Sequence, residues 1–229
     1  MRANLLEADP DLARYLAPET ARALLGSIKA DVLELKPGPW APPSSPPERG
    51  HLGYLLLSGM LVRRVTVDGS QSGELLNRGD VIRPWLEDPV SFCDADWQVV
   101  EPVRLAILDH RVATHLCSRP ELNAALFDKQ LERARSLAIN AATENVRGLD
   151  RRLLVLFWHL AERWGHREGD HVVIPLRLTH ETLSLLVGAR RPSVTTALSS
   201  LAAAGTLTRR EDEGWILTGA PPMPSSAGG

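Results

Sequence analysis

The chain has 229 residues, 44% of them hydrophobic, and a formal net charge of −2. That length accommodates two domains with separate cores, and the composition excludes general disorder. The opening MRANLLEADPDLARYL carries early acidic residues and no continuous apolar run, which predicts neither a signal peptide nor a membrane span but a cytoplasmic protein. Cys93 and Cys117 lie far apart and outside CxxC spacing, so free thiols are expected, with no structural metal and no disulfide framework. Arginine far outnumbers lysine, a bias that says nothing about partners.

From about Asp31 to Asp109 short aliphatic and β-branched runs follow one another: Val32 to Leu35, Gly53 to Leu57, Met60 to Val67, Val81 to Trp85, Val99 to Val100 and Val103 to Leu108. Turn signals at Val67-Asp68-Gly69-Ser70, Asn77-Arg78-Gly79-Asp80 and Glu87-Asp88-Pro89 separate them, which predicts a small β-barrel or sandwich. The proline-rich stretch Pro37 to Gly50 predicts an extended loop. Ser118-Arg119-Pro120-Glu121 has the form of a capping box and opens a long helix to about Asn145. Along it Phe127, Leu131, Ala134, Ala138, Ala141 and Asn145 alternate spacings of four and three, a seam suited to pairing with a second copy. The other occupant of that stripe would be the chain's own barrel. Gly148-Leu149-Asp150 breaks the pattern, and Leu153 to Trp164 predicts a further apolar helix.

The stretch Leu178 to Leu217 carries the most specific signal. Thr179 is a good N-cap for a short helix with Leu183, Leu186 and Val187 on one side, and Gly188 permits the sharp turn that ends it. A second helix starts near Arg191 with Pro192 in its first turn and runs to about Ala204. Val194, Leu198 and Leu201 face inward by period, and Arg191, Pro192, Thr195 and Thr196 face outward beside Arg190. Gly205 makes a C′ residue, and Leu207 to Arg210 and Gly214 to Leu217 read as a β-wing around Glu211-Asp212-Glu213. From Thr182 to Arg210 there are arginines at 190, 191, 209 and 210 and no acidic residue, against a net negative chain. A winged helix-turn-helix with this local charge predicts double-stranded DNA binding, with Arg191 reading base edges and His180, Ser193, Thr195, Arg209 and Arg210 on phosphate.

The order of barrel, long helix and winged helix-turn-helix resembles the Crp/Fnr family of bacterial transcription regulators over nearly the whole chain. Leu55-Leu56-Leu57-Ser58-Gly59 and Gly79-Asp80-Val81-Ile82 match in the barrel, and Leu186 to Val194 follows the family pattern in the reading head. The resemblance implies an α+β fold with a jelly-roll barrel like a cyclic-nucleotide-binding domain. On that reading the sensor is 1–117, the dimerisation helix 118–148, the reading head 149–219, and 220–229 a disordered tail. It also implies a homodimer on a pseudo-palindromic operator, working with RNA polymerase. Members that bind cyclic nucleotides carry a Gly-Glu pair and a later arginine after the Gly-Asp turn, to hold ribose and phosphate. Here Arg83-Pro84-Trp85 and Phe92-Cys93 stand at those places, and Gly73-Glu74-Leu75 precedes the turn, so cyclic AMP is not the expected effector. Arg83, Trp85, Trp97 and Asn140 are the candidate effector residues, with barrel core as the other reading of the two tryptophans. Two cysteines do not ligate an iron–sulfur cluster; haem on His51, His110 or His115 stays open, and no cofactor is expected otherwise.

Two rival functions stand beside this one. A metal-dependent barrel enzyme would want a His-x-His pair with a glutamate, and His51-Leu52-Gly53 breaks that spacing. No catalytic constellation is read in the chain. An adaptor whose helix-turn-helix binds protein would show no salt-dependent affinity for DNA.

Overall fold

The computed structural model describes residues 1–86, 92–211 and 214–222. The predicted turn at Glu87-Asp88-Pro89, the wing tip at Asp212-Glu213 and residues 223–229 of the tail lie outside the described residues. The chain forms two compact units, Met1–Ser70 with Glu74–Arg135, and Gln71–Gly73 with Ser136–Gly229.

The first unit begins with β1 (Arg2–Asn4), α1 (Leu5–Ala8), a 3₁₀ turn at Pro10–Ala13, and α2 (Pro18–Leu24). Then come β2 (Lys29–Leu35), β3 (Gly38–Trp40), β4 (Gly53–Val67), β5 (Ser70–Leu76), β6 (Val81–Ile82), a 3₁₀ turn at Pro84–Leu86, and β7 (Cys93–Leu108). Helices α3 (His110–Cys117) and α4 (Pro120–Glu144) close the series, and α4 continues into the second unit. The strands make one antiparallel sheet of order β1-β2-β7-β4-β5, with β3 on β7 and β6 on β4. β2 to β7 all supply side chains to one inner cluster, including Leu33, Trp40, Leu56, Leu76, Ile82 and Val99, so the sheet curls around it.

Pleating explains why Leu55-Leu56-Leu57 is continuously apolar. Leu56 and Leu105 enter the inner cluster, while Leu55, Leu57 and Ala106 enter a second cluster with Leu5, Leu12, Leu116, Leu122 and Leu126. Both faces of these strands are therefore buried, and alternation vanishes.

Several expectations need correction. The runs 53–57 and 60–67 are one strand, as are 99–100 and 103–108, because register shifts between Leu56 and Leu61 bend β4 against β7 without ending it. Gly59 sits in that bend with φ +86°, and a Cβ there would lie 2.1 Å from the Pro102 carbonyl oxygen. The strand expected over 81–85 stops at Ile82, since Pro84 starts a 3₁₀ turn. The proline-rich loop contains β3, where Pro39 pairs opposite Gln98; a short strand tolerates the missing N–H. Ser118 does not cap α4: its hydroxyl donates to His115 O at 2.9 Å, because α3 runs up to Cys117.

The first half of α4 buries Leu122, Ala125, Leu126 and Lys129. Lys129 Nζ meets Asp9 at 2.7 Å with both side chains 5% exposed. Arg14 reaches Asp128 and Glu132, and the Tyr15 hydroxyl donates to Asp128. Arg133 grips Glu74 with two hydrogen bonds of 2.6 and 3.0 Å, and Arg63 approaches the same carboxylate at 2.9 Å. Glu74, expected to be irrelevant to a nucleotide cassette, is thus a buried ionic anchor for α4. Two guanidiniums on one carboxylate meet much of the desolvation cost of burying it.

The second unit contains α5 (Leu149–Trp164), β8 (His166–Glu168), β9 (His171–Ile174), α6 (His180–Leu186), α7 (Arg191–Ala203), β10 (Leu207–Arg209) and β11 (Trp215–Thr218). Its four strands run in the order β10-β11-β9-β8, all antiparallel, so the predicted two-stranded wing is half of a larger sheet. Phe157 is fully buried with its ring 4.9 Å from that of Trp215, joining α5 to the wing.

Candidate nucleic-acid interface

The reading head forms from local rules. Thr179 Oγ1 accepts from Thr182 N at 3.1 Å at the start of α6, a cap of roughly 1 kcal/mol. Leu183, Leu186 and Val187 are at most 2% exposed. Gly188 takes φ +58°, a left-handed turn that an L side chain enters only with strain, and Arg152 Nη1 donates to the Val187 carbonyl just before it at 3.0 Å. Val194, Ala197, Leu198 and Leu201 bury the inner side of α7, each aliphatic side chain being worth about 1.5–3 kcal/mol. Gly205 N to Ala202 O and Thr206 N to Leu201 O close its C-terminus as a Schellman motif.

That inner packing turns the opposite face outward. Arg190, Arg191, Pro192, Ser193, Thr195 and Thr196 are all exposed on the outer side. Arg191 occupies the first helical position, where the helix dipole and free N–H groups favour anions. No acidic residue lies between it and Arg210 in the sequence, although the Glu144 side chain packs beside Gly188 at the turn. The threonines are less free than their exposure suggests. Thr195 and Thr196 hydroxyls donate to Arg191 O and Pro192 O at 3.1 and 3.2 Å. His180 Nδ1 lies 2.8 Å from Thr195 Oγ1, which ties the start of α6 to α7.

The wing arginines are also engaged. The Arg209 guanidinium lies 5.8 Å from the Trp215 ring centroid. Arg210 pairs with Glu168 at 3.2 Å, a partner on β8 that the sequence reading missed. His166 Nε2 meets the same carboxylate at 3.0 Å, and these two neighbours hold Glu168 below the usual carboxylate range, His166 foremost.

Residues 151–218 match the family of Crp-like helix-turn-helix domains. A CooA mutant from Carboxydothermus hydrogenoformans shares the fold at TM-score 0.61 and 17% identity, over 83% of this chain and 84% of that one. FixK2 from Bradyrhizobium japonicum does so at TM-score 0.61 and 14% identity, over 83% and 93%. TTHA1359, a CRP/FNR-family transcriptional regulator from Thermus thermophilus, does so at TM-score 0.55 and 21% identity, over 82% and 94%. No curated protein matches the chain in sequence. Residues 151–218 are thus a Crp-like helix-turn-helix domain, which supports DNA-binding transcription regulation, and the chain shares the fold of these solved structures.

Three of the four candidate effector residues, Arg83, Trp85 and Trp97, belong to the first unit, and Asn140 belongs to the second. Trp85 and Trp97 are 6% and 4% exposed in the inner cluster of the first unit, linked through the rings of Tyr54 and Trp40. Arg83 is exposed beside Trp85, and Asn140 belongs to the part of α4 in the second unit. A surface cavity of about 260 Å³ lies elsewhere, lined by Arg2, Lys29, Asp31, Asp109, Arg111 and His115 among others. Of the three histidines considered for haem, His51 is buried, while His110 and His115 are exposed. Among the described residues no three His, Cys, Asp or Glu side chains are placed to hold a metal ion, and no helix is long and apolar enough to cross a membrane.

Proposed function

We propose that this regulator works as a cytoplasmic homodimer, each protomer laying α7 in the major groove of one half of a pseudo-palindromic operator and acting on RNA polymerase. It is a binding protein rather than an enzyme. The observation that carries the dimer is the outer stripe of α4. Phe127 and Leu131 are 64% and 50% exposed, and Ala134, Ala138, Ala141 and Asn145 continue the same stripe. The chain's own core takes the opposite side of the first half of the helix and leaves Phe127 and Leu131 uncovered, a pattern that calls for a partner helix. The small residues that follow suit close approach. Asn145 spends one amide hydrogen on Ala141 O at 2.9 Å, so it closes the helix end more than it sets register.

Twofold symmetry then doubles the α7 contact on DNA. Arg83-Pro84 at the ribose position supports independence from cyclic AMP, because neither side chain offers the carboxylate that a ribose hydroxyl needs. The test is sedimentation of the full chain beside Leu131→Glu, with DNA binding measured on one and on two half-sites. The native chain is a dimer that gains at least about tenfold in affinity from the second half-site and ignores added cyclic AMP. A monomeric native chain with no gain from the second half-site would contradict the proposal.

A further inference from the structure

The outward side of α7 has a chemistry that its arginines do not account for. Val194, Ala197, Leu198 and Leu201 take the inner side, and Pro192, Thr195, Thr196 and Ser199 repeat the same spacing on the opposite side, all four exposed. The hydroxyl hydrogens of this side are spent within the helix. Thr195 donates to Arg191 O at 3.1 Å, Thr196 to Pro192 O at 3.2 Å and Ser199 to Thr195 O at 3.0 Å. Thr195 Oγ1 also lies 2.8 Å from His180 Nδ1, and with its own hydrogen given to Arg191 O it accepts there.

An exposed threonine whose oxygen is held against the preceding turn has its methyl left to offer outward. Thr195 and Thr196 stand three and four residues after Pro192, so both methyls neighbour its apolar ring, and Thr195 follows Arg191 by one turn. Between Arg191 and Ala203 the helix carries no Asn, Gln, Asp, Glu or Lys, the side chains that address adenine and cytosine or share guanine with arginine. What α7 holds for base edges is therefore the guanidinium at its start and an apolar patch beside it. The apolar group that base edges present in the major groove is the C5 methyl of thymine.

We propose that Thr195 and Thr196, with the Pro192 ring, select thymine by its C5 methyl, next to the base that Arg191 addresses. Thr195 is then a reader of sequence and not the phosphate contact that its position in the chain suggested. The inference rests on α7 lying in the major groove and names the base feature it reads there.

The test uses a site selected from random duplexes and then resynthesised with deoxyuridine for every thymine, which removes the C5 methyl and leaves base pairing intact. The full chain is titrated on both forms and on a scrambled duplex. One lost methyl contact weakens binding about fourfold, so the deoxyuridine form binds at least about fourfold more weakly than the thymine form. Thr195→Ser with Thr196→Ser keeps the hydroxyls and the native melting temperature and brings the two forms to equal affinity. Thr195→Val with Thr196→Val keeps the methyls and preserves the difference. A selected site preferred over the scrambled duplex yet indifferent to deoxyuridine, or a difference that the serine variant leaves unchanged, would overturn the proposal while α7 still reads DNA. No preference over the scrambled duplex would overturn the groove placement along with it.

Discussion

The charged residues of the two units are used in opposite ways. In the first unit Lys129 is committed to Asp9, Arg63 and Arg133 to Glu74, Arg14 to Asp128 and Glu132, and Arg111 to Asp109. At the start of α7 in the second, Arg190 and Arg191 are both exposed, with no acidic neighbour in sequence. Charges of the first kind hold elements together, and their removal costs stability. Those of the second kind add little to the fold, and their removal costs affinity. The wing lies between these cases, because Arg210 leans on Glu168 within the protein.

The contrast can be broken most sharply at Glu74. Glu74→Ala leaves two guanidiniums facing each other at a buried point and should destabilise the first unit by about 3–5 kcal/mol, read as a lower urea midpoint of tryptophan fluorescence. A loss below about 1 kcal/mol would mean that the cluster is not an anchor.

The next effect comes from acid. His159 on α5 is buried, its Nδ1 has no hydrogen-bond partner among the described residues, and burial with Arg163 nearby holds its pKa down to about 4. The folded head thus keeps His159 neutral while the unfolded chain protonates it near pH 6.5. Stability is complete above that pH, falls as pH drops from about 6.5 to 4, and loses roughly 3 kcal/mol across the window. His159→Gln should remove this slope from the melting temperature of the reading head.

Smaller losses belong to the DNA face. Arg191→Ala should weaken cognate binding by about 1–3 kcal/mol and relax preference at one position per half-site, with the melting temperature unchanged. Arg209→Ala with Arg210→Ala should weaken all DNA about equally and flatten the salt slope by up to about two units. Because Glu168 competes for Arg210, the expected change is nearer about one unit, and Glu168→Gln should steepen the slope.

The reading head was legible because its signals are local. Thr179, Gly188, Pro192 and Gly205 punctuate two helices whose apolar spacing alone fixes which side faces inward. The sheet was legible only in part. Glu101-Pro102 looked like the end of a strand, yet β7 continues through it opposite the bend at Gly59. β5 begins Ser70-Gln71-Ser72 and carries no apolar signal until Leu75; it is a strand because Asp68, at φ +47°, turns the chain back into a hairpin. Outward placement of Thr195, Arg209 and Arg210 followed from periodicity and position. Their partners His180, Trp215 and Glu168 come from other elements and could not be read from spacing.

The central claim is that the outer face of α7 reads DNA sequence. Its most direct test is anisotropy titration of the full chain on a site selected from random duplexes and on a scrambled duplex, across salt, beside Arg190→Ala with Arg191→Ala. The account predicts at least about a thousandfold preference for the selected site, falling affinity with salt, and collapse of the preference in the double variant. Equal affinity for both duplexes, or a preference that survives the double variant, would contradict it.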